Sequence, residues 1–325
     1  MQDWQKALSN AVENTDELLR TLELNSAHLD PATQAAIAQF PLRVPRGFVA
    51  RMEKGNPNDP LLLQVLPTKQ EMGHYPGYTH DPLAEKNANP VPGLLHKYHG
   101  RVLLTLAGGC AINCRYCFRR HFPYEENIPS TDGWQKTLAY IANDSSIEEV
   151  IFSGGDPLIM KDAQLVKLVS QLEKIQHLKR LRIHTRVPIV IPERINTELI
   201  HWIHTTRFKT IVVLHCNHPN EIDDTVIAAI KKLQTVHVTL LNQSVLLKDV
   251  NDNAQTLIAL SQTLFDNGVL PYYLHLLDRV QGSAHFDVDE QKAKQIIQRM
   301  MNQLPGYLVP KLVREIAGAQ AKVPV

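Results

Sequence analysis

From about residue 101, short apolar segments alternate with longer segments in which apolar residues recur at helical spacing. The short segments predict six strands, at residues 101–107, 147–153, 179–184, 209–215, 236–241 and 269–276. The longer segments predict helices at 131–143, 161–175, 196–205, 223–234, 252–266 and 288–302. Apolar strands separated by helices are typical of a parallel sheet covered by helices. We therefore predict an α/β fold, either a (β/α) barrel or a doubly wound open sheet.

Polar segments, several of them with glycine, directly follow the predicted strands. Examples are Gly154-Gly155-Asp156-Pro157, Thr185-Arg186 and Asp278-Arg279. In a (β/α) barrel, the carboxyl ends of the strands form the face on which active sites are built. The sequence therefore predicts a site at this face.

The first hundred residues have a different pattern. Apolar residues at helical spacing predict an amphipathic helix at 2–24, and Asp30-Pro31 predicts the start of a second, short helix. Residues 41–100 contain nine prolines, which disfavour long regular elements. We predict an N-terminal helical and irregular extension at 1–96, a barrel at 97–304 and a short C-terminal tail at 305–325.

Composition narrows the class of protein. With 34 basic and 33 acidic side chains among 325 residues, the net charge of +1 gives no indication of binding to nucleic acid or to an anionic membrane. No apolar segment is long enough to span a bilayer, and the polar first residues lack the apolar stretch of a signal peptide. Four cysteines in a chain of this length do not suggest a disulfide framework, so we expect a protein of the reducing cytoplasm.

Three of the four cysteines lie in one short segment, Cys110-Ala-Ile-Asn-Cys114-Arg-Tyr-Cys117, a CxxxCxxC motif. A [4Fe–4S] cube has an iron at each of four corners, so three thiolates leave one iron open to a non-protein ligand. This feature separates the motif from the four-cysteine clusters of electron carriers. His121 follows shortly after Cys117, so a Cys3His zinc site is an alternative. The remaining cysteine is Cys216.

The cysteine spacing resembles that of the radical SAM superfamily, in which the open iron binds S-adenosylmethionine. The resemblance implies a [4Fe–4S] cluster, S-adenosylmethionine as a cofactor and a partial (β/α)6 TIM-like barrel, which agrees with the six predicted strands. Gly154, Gly155 and Asp156 resemble a Gly-Gly-Glu motif of the superfamily, whose backbone meets the amino group of that cofactor. Outside this context, a Gly-Gly-Asp-Pro segment is usually only a turn.

Several longer stretches resemble the lysine 2,3-aminomutase family, and together they cover residues 97 to 322. They are Cys117–Arg120, Ser153–Pro157, His184–Pro188, His215–Pro219, Asn242–Asp252 and Pro271–Asp278. This resemblance implies pyridoxal 5′-phosphate as a further cofactor and L-lysine as the substrate. It also implies a reaction in which the amino group moves from Cα to Cβ after removal of a hydrogen atom.

The resemblance implies roles for residues that bind the cofactors. Lys322 matches the lysine that carries pyridoxal phosphate, although only Gly318 remains of the family's glycine run and a lysine in a chain tail is usually solvated. The basic residues Lys97 and Arg101 match positions that bind the phosphate. His215 and Gln243 match contacts to S-adenosylmethionine.

The resemblance also implies the substrate anchors. Arg119 matches the residue that binds the α-carboxylate, with Arg120 as the local alternative. Asp278 and Glu315 match the two acidic residues that bind the distal ammonium group, although the family usually has Asp at the second position. The alternative for Asp278 is an ion pair with Arg279.

Within the family, the sequence resembles a shorter branch that makes (R)-β-lysine for attachment to elongation factor P. The resemblance rests on the length and on the Ala-Gln-Ala-Lys322 ending, which lacks the longer tail of free-standing family members. It implies that a lysyl-tRNA-synthetase-like ligase uses the product, and it leaves homo-oligomer formation open. The alternatives are a radical SAM aminomutase of another amino acid and a non-enzymatic iron–sulfur or zinc protein.

Overall fold

The computed structural model of the protein describes residues 1–25, 33–127 and 133–325. Within these residues, nine strands form one sheet in which each strand pairs with the next along the chain. The strands are β1 (Leu94–Tyr98), β2 (Arg101–Ala107), β3 (Glu149–Gly154), β4 (Arg180–Thr185), β5 (Lys209–His215), β6 (Val238–Val245), β7 (Leu270–His275), β8 (Lys311–Arg314) and β9 (Val323–Pro324). Strands β2 to β8 are parallel, whereas β1 and β9 pair antiparallel at the two edges.

The strand order decides between the two predicted α/β architectures. A doubly wound sheet reverses its strand order, which places helices on both faces. Here the order of the parallel strands never reverses, so crossovers of one hand place the helices on one side of the sheet. The sheet is not closed, because β1 and β9 do not pair with each other. The fold is thus the predicted α/β fold with a partial barrel.

The helices are confirmed at the predicted places between the strands. The structure contains α1 (Asp3–Ser9), α2 (Thr15–Thr21), α3 (Thr33–Gln39), α4 (Arg46–Val49), α5 (Pro60–Leu63), α6 (Tyr124–Asn127), α7 (Gly133–Asn143), α8 (Asp162–Leu172), α9 (Val187–Val190), α10 (Thr197–Thr205), α11 (Asp224–Gln234), α12 (Ala254–Asp266) and α13 (Glu290–Gln303). The first two residues of the predicted helix at 131–143 lie outside the described residues. None of the described helices is both long and apolar enough to cross a membrane.

Helix α11 illustrates why these segments are helical. The Asp223 side chain accepts a hydrogen bond from the backbone N–H of Val226 and caps the first turn. Val226, Ala229, Ile230 and Leu233 recur on one face and are buried against the sheet side of the core. Burial of this one face holds the helix on the barrel.

The predicted single helix at 2–24 is wrong. The chain forms α1 and α2 instead, and Val12 between them makes a β-bridge with Val44. Asn14 then caps α2 by accepting a hydrogen bond of 3.0 Å from the N–H of Glu17. The helical periodicity continues across the break, but the bridge to Val44 is a long-range contact that periodicity does not reveal.

The proline-rich segment contains short elements only, as predicted. Helices α4 and α5 have four residues each, and strand β1 closes the segment. The second predicted helix of the extension is α3, whereas its predicted start at Asp30-Pro31 lies outside the described residues.

Alternation along the strands separates the core from the site. On β3, Val150 and Phe152 pack in the core beneath the helices, whereas Ile151 and Ser153 face the interior of the barrel. On β4, Leu181 and Ile183 belong to the core, whereas Arg182 and His184 line the cavity. The alternation on these two strands therefore directs one set of side chains towards a central cavity.

Candidate active site

A cavity of about 530 Å³ opens inside the barrel at the carboxyl ends of the strands. The fourteen residues that the sequence identified as site candidates all line it. They are Lys97, Arg101, Cys110, Cys114, Cys117, Arg119, Gly154, Gly155, Asp156, His215, Gln243, Asp278, Glu315 and Lys322. The fold thus brings together residues that lie far apart in the sequence.

The cysteine loop begins after β2 and contributes all three cysteines of the CxxxCxxC motif to the cavity wall. The N–H of Cys117 donates a 3.0 Å hydrogen bond to the carbonyl of Cys114, which makes the loop compact. Burial, and then the neighbouring thiols, raise the pKa of Cys117 to about 11 and that of Cys110 well above its usual range. The three thiols are half-buried and crowded, and they would lose their protons on binding positively charged metal. This donor set fits an iron–sulfur cluster.

His121 does not complete a zinc site with these cysteines. Its ring stacks on His80 with a centroid distance of 4.3 Å, and its Nε2 lies 3.1 Å from the carbonyl oxygen of Gln281. It is not part of the cavity wall. Cys216 is also separate from the cluster of cysteines, since it is buried and its thiol donates to the carbonyl of His218.

The paired glycines after β3 allow the backbone to approach the cysteine loop. Gly154 has a φ of +107°, which favours glycine. A Cβ atom on Gly155 would lie 2.0 Å from the carbonyl oxygen of Gly109, directly before Cys110. The N–H of Gly155 donates a 2.7 Å hydrogen bond to the carbonyl of Ala107. Any side chain at Gly155 would therefore push the cysteine loop away from the sheet.

Asp156 lines the cavity, but its carboxylate is occupied by protein donors. One oxygen accepts hydrogen bonds from the Thr185 hydroxyl at 2.7 Å and from the N–H of Leu158 at 3.0 Å. The other accepts from the N–H groups of Arg186 at 2.7 Å and Val187 at 3.2 Å. Burial raises the pKa of Asp156, and these hydrogen bonds oppose that shift. The side chain thus fixes the backbone after β4.

Arg119 also lines the cavity and is held by Glu85. Its Nε and Nη2 donate to the two carboxylate oxygens of Glu85 at 2.7 and 2.8 Å, and its Nη1 lies 3.4 Å from the Ser153 hydroxyl. Lys97 Nζ lies 2.8 Å from the same carboxylate. Burial opposes ionisation of Glu85, but Arg119 and Lys97 outweigh it and lower the pKa of Glu85 to about 2. Two cationic site candidates therefore share one buried carboxylate.

Lys322 and Glu315 form the third wall. Glu315 follows β8 and Lys322 precedes β9, so the antiparallel pairing of these strands holds the two side chains together. Lys322 Nζ donates to Glu315, and each side chain is 17% exposed. The predicted alternative, a solvated lysine in a frayed tail, is therefore wrong. Burial opposes ionisation of Glu315, but Lys322 and Lys97 lower its pKa.

Asp278 adds a second carboxyl group beside Glu315. Burial, and then the negative charge of Glu315, raise the pKa of Asp278 to about 7, although Lys322 and Lys97 act in the opposite direction. Arg279, the alternative partner, is 60% exposed and pairs with Asp287 at 3.8 Å. The structure therefore directs Asp278 to the cavity and not to its sequence neighbour.

Arg120, the alternative to Arg119, points away from the cavity. Its Nη2 donates to Glu71 at 2.6 Å, and its Nη1 donates to the carbonyls of Arg115 and Gly282 at 3.1 Å. All of these partners belong to buried structure outside the cavity wall. Arg119 is the arginine that faces the cavity.

Neutral histidines line the deeper part of the cavity. Burial lowers the pKa of His215 to about 3 and the pKa values of His184 and His275 well below their usual range. The Nε2 of His215 lies 2.8 Å from Nε2 of Gln243, which donates to it. The Nε2 atoms of His184 and His275 are buried and have no protein partner among the described residues. These imidazoles offer uncharged hydrogen-bonding groups to a bound molecule.

Sequence reasoning missed several residues of the cavity. Arg182, His184, Tyr273 and His275 lie on strands at inward positions, and strand alternation could have identified them. Glu85 lies in a short turn of the proline-rich segment, where no periodic pattern indicates a direction. Its role depends on a long-range contact with Arg119.

Comparison with known proteins agrees with this geometry. The sequence profile of the radical SAM superfamily matches residues 104–260, which include the cysteine motif and the glycine pair. The L-lysine 2,3-aminomutase of Escherichia coli is 54% identical over all of this chain and 94% of its own length. The L-lysine 2,3-aminomutase of Haemophilus influenzae is 54% identical over 99% of this chain and 95% of its own length.

A more distant relative matches as well. The L-lysine 2,3-aminomutase of Clostridium subterminale is 33% identical over 99% of this chain and 77% of its own length. Radical SAM proteins use a [4Fe–4S] cluster and S-adenosylmethionine, which agrees with three cysteines at a cavity and no fourth one beside them among the described residues. The chain belongs to the L-lysine 2,3-aminomutase family of the radical SAM superfamily.

Proposed function

We propose that this protein is an isomerase that converts L-lysine to (R)-β-lysine with pyridoxal phosphate as a further cofactor. The observation that carries the proposal is the arrangement of one cavity: Lys322 faces it beside Glu315, and Arg119 and the three cysteines line the same space. An arginine and two carboxyl groups that line one cavity suit an amino acid with a second cationic group.

The residues that hold the cluster and S-adenosylmethionine are proposed from this wall. Cys110, Cys114 and Cys117 would hold the iron–sulfur cluster, and the cluster together with S-adenosylmethionine would supply the radical chemistry that activates the Cβ–H bond of lysine. The backbone of Gly154 and Gly155 approaches the cysteine loop closely enough to offer hydrogen bonds beside it. Apolar side chains line part of the cavity, and they would limit the access of water to a radical.

The residues that hold pyridoxal phosphate are proposed from the opposite side. Lys322 provides a half-buried primary amine that is suited to a covalent bond with the cofactor aldehyde. Lys97 and Arg101 provide cations for its phosphate, and Arg101 stacks its guanidinium 4.8 Å above the Tyr98 ring. Bound pyridoxal phosphate would supply a conjugated ring that delocalises unpaired spin next to the migrating nitrogen.

Arg119 is suited to the substrate carboxylate because Glu85 occupies only one of its edges. A guanidinium has five N–H groups, and Glu85 uses the Nε edge together with one N–H of Nη2. The edge formed by Nη1 and the second N–H of Nη2 can still donate two hydrogen bonds to a carboxylate. Ser153, at 3.4 Å from Nη1, lies beside this edge.

Asp278 and Glu315 are suited to the ε-ammonium group. Lys322 Nζ already binds Glu315, so this corner of the cavity accommodates an alkylammonium group. A substrate ammonium would meet Asp278 and the carboxylate of Glu315, which also lies 3.7 Å from Lys97 Nζ. The extra methylene of Glu315 is therefore compatible with the proposed role.

The use of the product is proposed from resemblance. The chain is 54% identical to the E. coli relative and 33% identical to the C. subterminale relative, which supports a closer relationship to the former. We propose that a lysyl-tRNA-synthetase-like ligase attaches the product to elongation factor P in the cytoplasm. Deletion of the gene should then remove β-lysine from acid hydrolysates of elongation factor P, in which chromatography separates it from its isomer α-lysine. An unchanged amount of β-lysine would refute this step.

The activity is tested with anaerobically reconstituted protein. Iron, sulfide, pyridoxal phosphate, S-adenosylmethionine and dithionite are added, and L-lysine, L-ornithine, L-glutamate and L-alanine are compared as substrates. We expect β-lysine from L-lysine, and we expect Asp278→Asn to lose this product while it retains iron and pyridoxal phosphate. Methionine and deoxyadenosine without β-lysine would refute the substrate, and the absence of all three products would refute the enzyme.

A further inference from the structure

Arg186 connects the segment after β4 to the cysteine loop. Its guanidinium is buried, and its Nη1 lies 2.8 Å from the sulfur of Cys114 and 2.7 Å from the hydroxyl of Tyr116. Its Nη2 donates to Gln64 at 2.7 Å and to Glu221 at 2.9 Å. One terminal nitrogen of the guanidinium group thus faces the sulfur of Cys114. The other faces the carboxylate of Glu221, which anchors the side chain.

The anchor fixes the direction of the guanidinium. The Glu221 side chain is fully buried and also accepts hydrogen bonds from the N–H groups of Asn217 at 2.9 Å and His218 at 3.1 Å. At the other end, the Asp156 carboxylate binds the backbone N–H of Arg186 at 2.7 Å. Since both the backbone and the side chain are held, Arg186 cannot rotate away from Cys114 without breaking buried hydrogen bonds.

The other arginines of the cysteine loop are directed elsewhere. Arg115 and Arg120 donate to Glu71, and Arg119 donates to Glu85. A buried ion pair alone would account for the contact between Arg186 and Glu221, but not for the second nitrogen that faces a proposed cluster ligand. The arrangement therefore directs a permanent positive charge to one particular sulfur.

We propose that Arg186 is a positioning residue that raises the reduction potential of the cluster through its hydrogen bond to the sulfur of Cys114. Reduction adds one electron, and therefore one negative charge, to the cluster and its thiolates. A fixed cation and an N–H···S hydrogen bond stabilise that added charge more than they stabilise the oxidised form. The inference rests on the proposed cluster at these cysteines, but not on lysine as the substrate.

The test measures the midpoint potential of the reconstituted cluster by an anaerobic redox titration that is followed by electron paramagnetic resonance. We expect Arg186→Gln to lower the equilibrium constant for reduction by about tenfold, which is about 59 mV for a one-electron couple. Arg186→Lys keeps the positive charge but lacks the planar guanidinium group, so we expect a smaller decrease of the midpoint potential. This measurement needs no substrate, so it is independent of the proposed isomerase activity.

Arg194 provides the matched control. It is fully buried and donates to Asp162 at 2.8 and 3.1 Å, and its other hydrogen bonds go to the carbonyls of Leu158 and Met160. Arg194→Gln should reduce stability and leave the potential unchanged. A potential in Arg186→Gln equal to that of the wild type, at equal iron content, would overturn the proposal.

A second measurement tests the role of Arg186 if Arg186→Gln does not fold or does not bind iron. Wild-type protein and Arg186→Lys are labelled with ¹⁵N at the arginine guanidino groups, and the reduced cluster is studied by electron–nuclear double resonance. We expect a ¹⁵N coupling in the wild type that is lost in Arg186→Lys. A spectrum that is the same in both proteins would overturn the proposal.

Discussion

The carboxylate of Glu85 binds Arg119 through two hydrogen bonds of 2.7 and 2.8 Å. The same carboxylate pairs with Lys97 at 2.8 Å. Glu85 therefore connects the proposed anchor of the substrate carboxylate to a proposed anchor of the cofactor phosphate. All three side chains line one cavity, and the single buried anion holds both cations in place.

Replacement of Glu85 by Gln should affect both stability and substrate binding. The lowered pKa means that the pair contributes stability above pH 4.5, the ordinary value, and loses that contribution as the pH falls towards about 2. Removal of one partner of a buried ion pair costs about 3–5 kcal/mol, and an isosteric amide should lie near the lower end of that range. We also expect a higher KM for L-lysine, since Arg119 is no longer fixed. Denaturant titration and steady-state kinetics measure the two effects.

Glu148 offers a matched control for Glu85. It also binds two cations, Lys179 and Arg180, but it lies at the surface. Glu148→Gln should leave both the unfolding midpoint and the KM nearly unchanged. Equal effects of the two substitutions would contradict the role of Glu85.

Asp278 should give the reaction a pH dependence near neutrality. Its raised pKa of about 7 means that the carboxyl group of the free enzyme ionises as the pH rises through that value. Only the anion attracts the ε-ammonium group, so kcat/KM should rise about tenfold per pH unit below 7 and then level off. Asp278→Asn should remove this rise, and a rise that persists in the variant would assign it to another group.

The same shift has a consequence for stability. A folded-state pKa above the ordinary value of 3.8 stabilises the protein below that pH, and this contribution is lost as the pH rises through about 7. Asp278→Asn should therefore be more stable than the wild type at pH 8 and differ little from it at pH 4. Denaturant titrations at the two pH values measure the difference.

Gly155→Ala should disturb the cysteine loop. The added Cβ would lie 2.0 Å from the carbonyl oxygen of Gly109, which is a backbone atom that cannot move without the loop. We expect the variant to lose stability and to retain less iron after reconstitution. Gly306→Ala is the control, because its Cβ would meet no atom within 4 Å. Full iron retention in Gly155→Ala would contradict the close approach of the two backbones.

The cysteines differ in their expected contribution to iron binding. Cys110 lines the cavity, whereas Cys216 is buried elsewhere and bonds to the carbonyl of His218. Cys110→Ala should lose most of its iron and the charge-transfer absorbance of the cluster, and Cys216→Ala should retain both. Iron analysis after anaerobic desalting separates the two, and similar losses in both variants would refute the assignment.

The sequence predicts some elements of the fold but not others. Six strands are identifiable because their buried residues form continuous apolar segments, whereas β8 and β9, with four and two residues, are too short to show a pattern. The helix at 2–24 was wrong because the bridge between Val12 and Val44 is a long-range contact. Elements that depend on local periodicity were thus predicted, and elements that depend on distant partners were not.

The same distinction holds for the site. Cys110, Cys114 and Cys117 are recognisable from their spacing alone, since the three ligands lie on one loop. The sequence indicates that Asp156 belongs to the site. It does not indicate that the carboxylate accepts hydrogen bonds from backbone N–H groups after β4. Glu85 gave no signal at all, because its function depends on a contact with Arg119 that only the folded chain creates.

The most direct test of the account is the formation of β-lysine by a variant of Lys322. Lys311 is the control, because it is an exposed lysine at the start of β8, eleven residues before Lys322 and on the strand that pairs with β9. The account predicts that wild type and Lys311→Ala form β-lysine from L-lysine, and that Lys322→Ala binds iron normally but forms no β-lysine and no covalent adduct with pyridoxal phosphate. β-Lysine formed by Lys322→Ala at the rate of the wild type would contradict it.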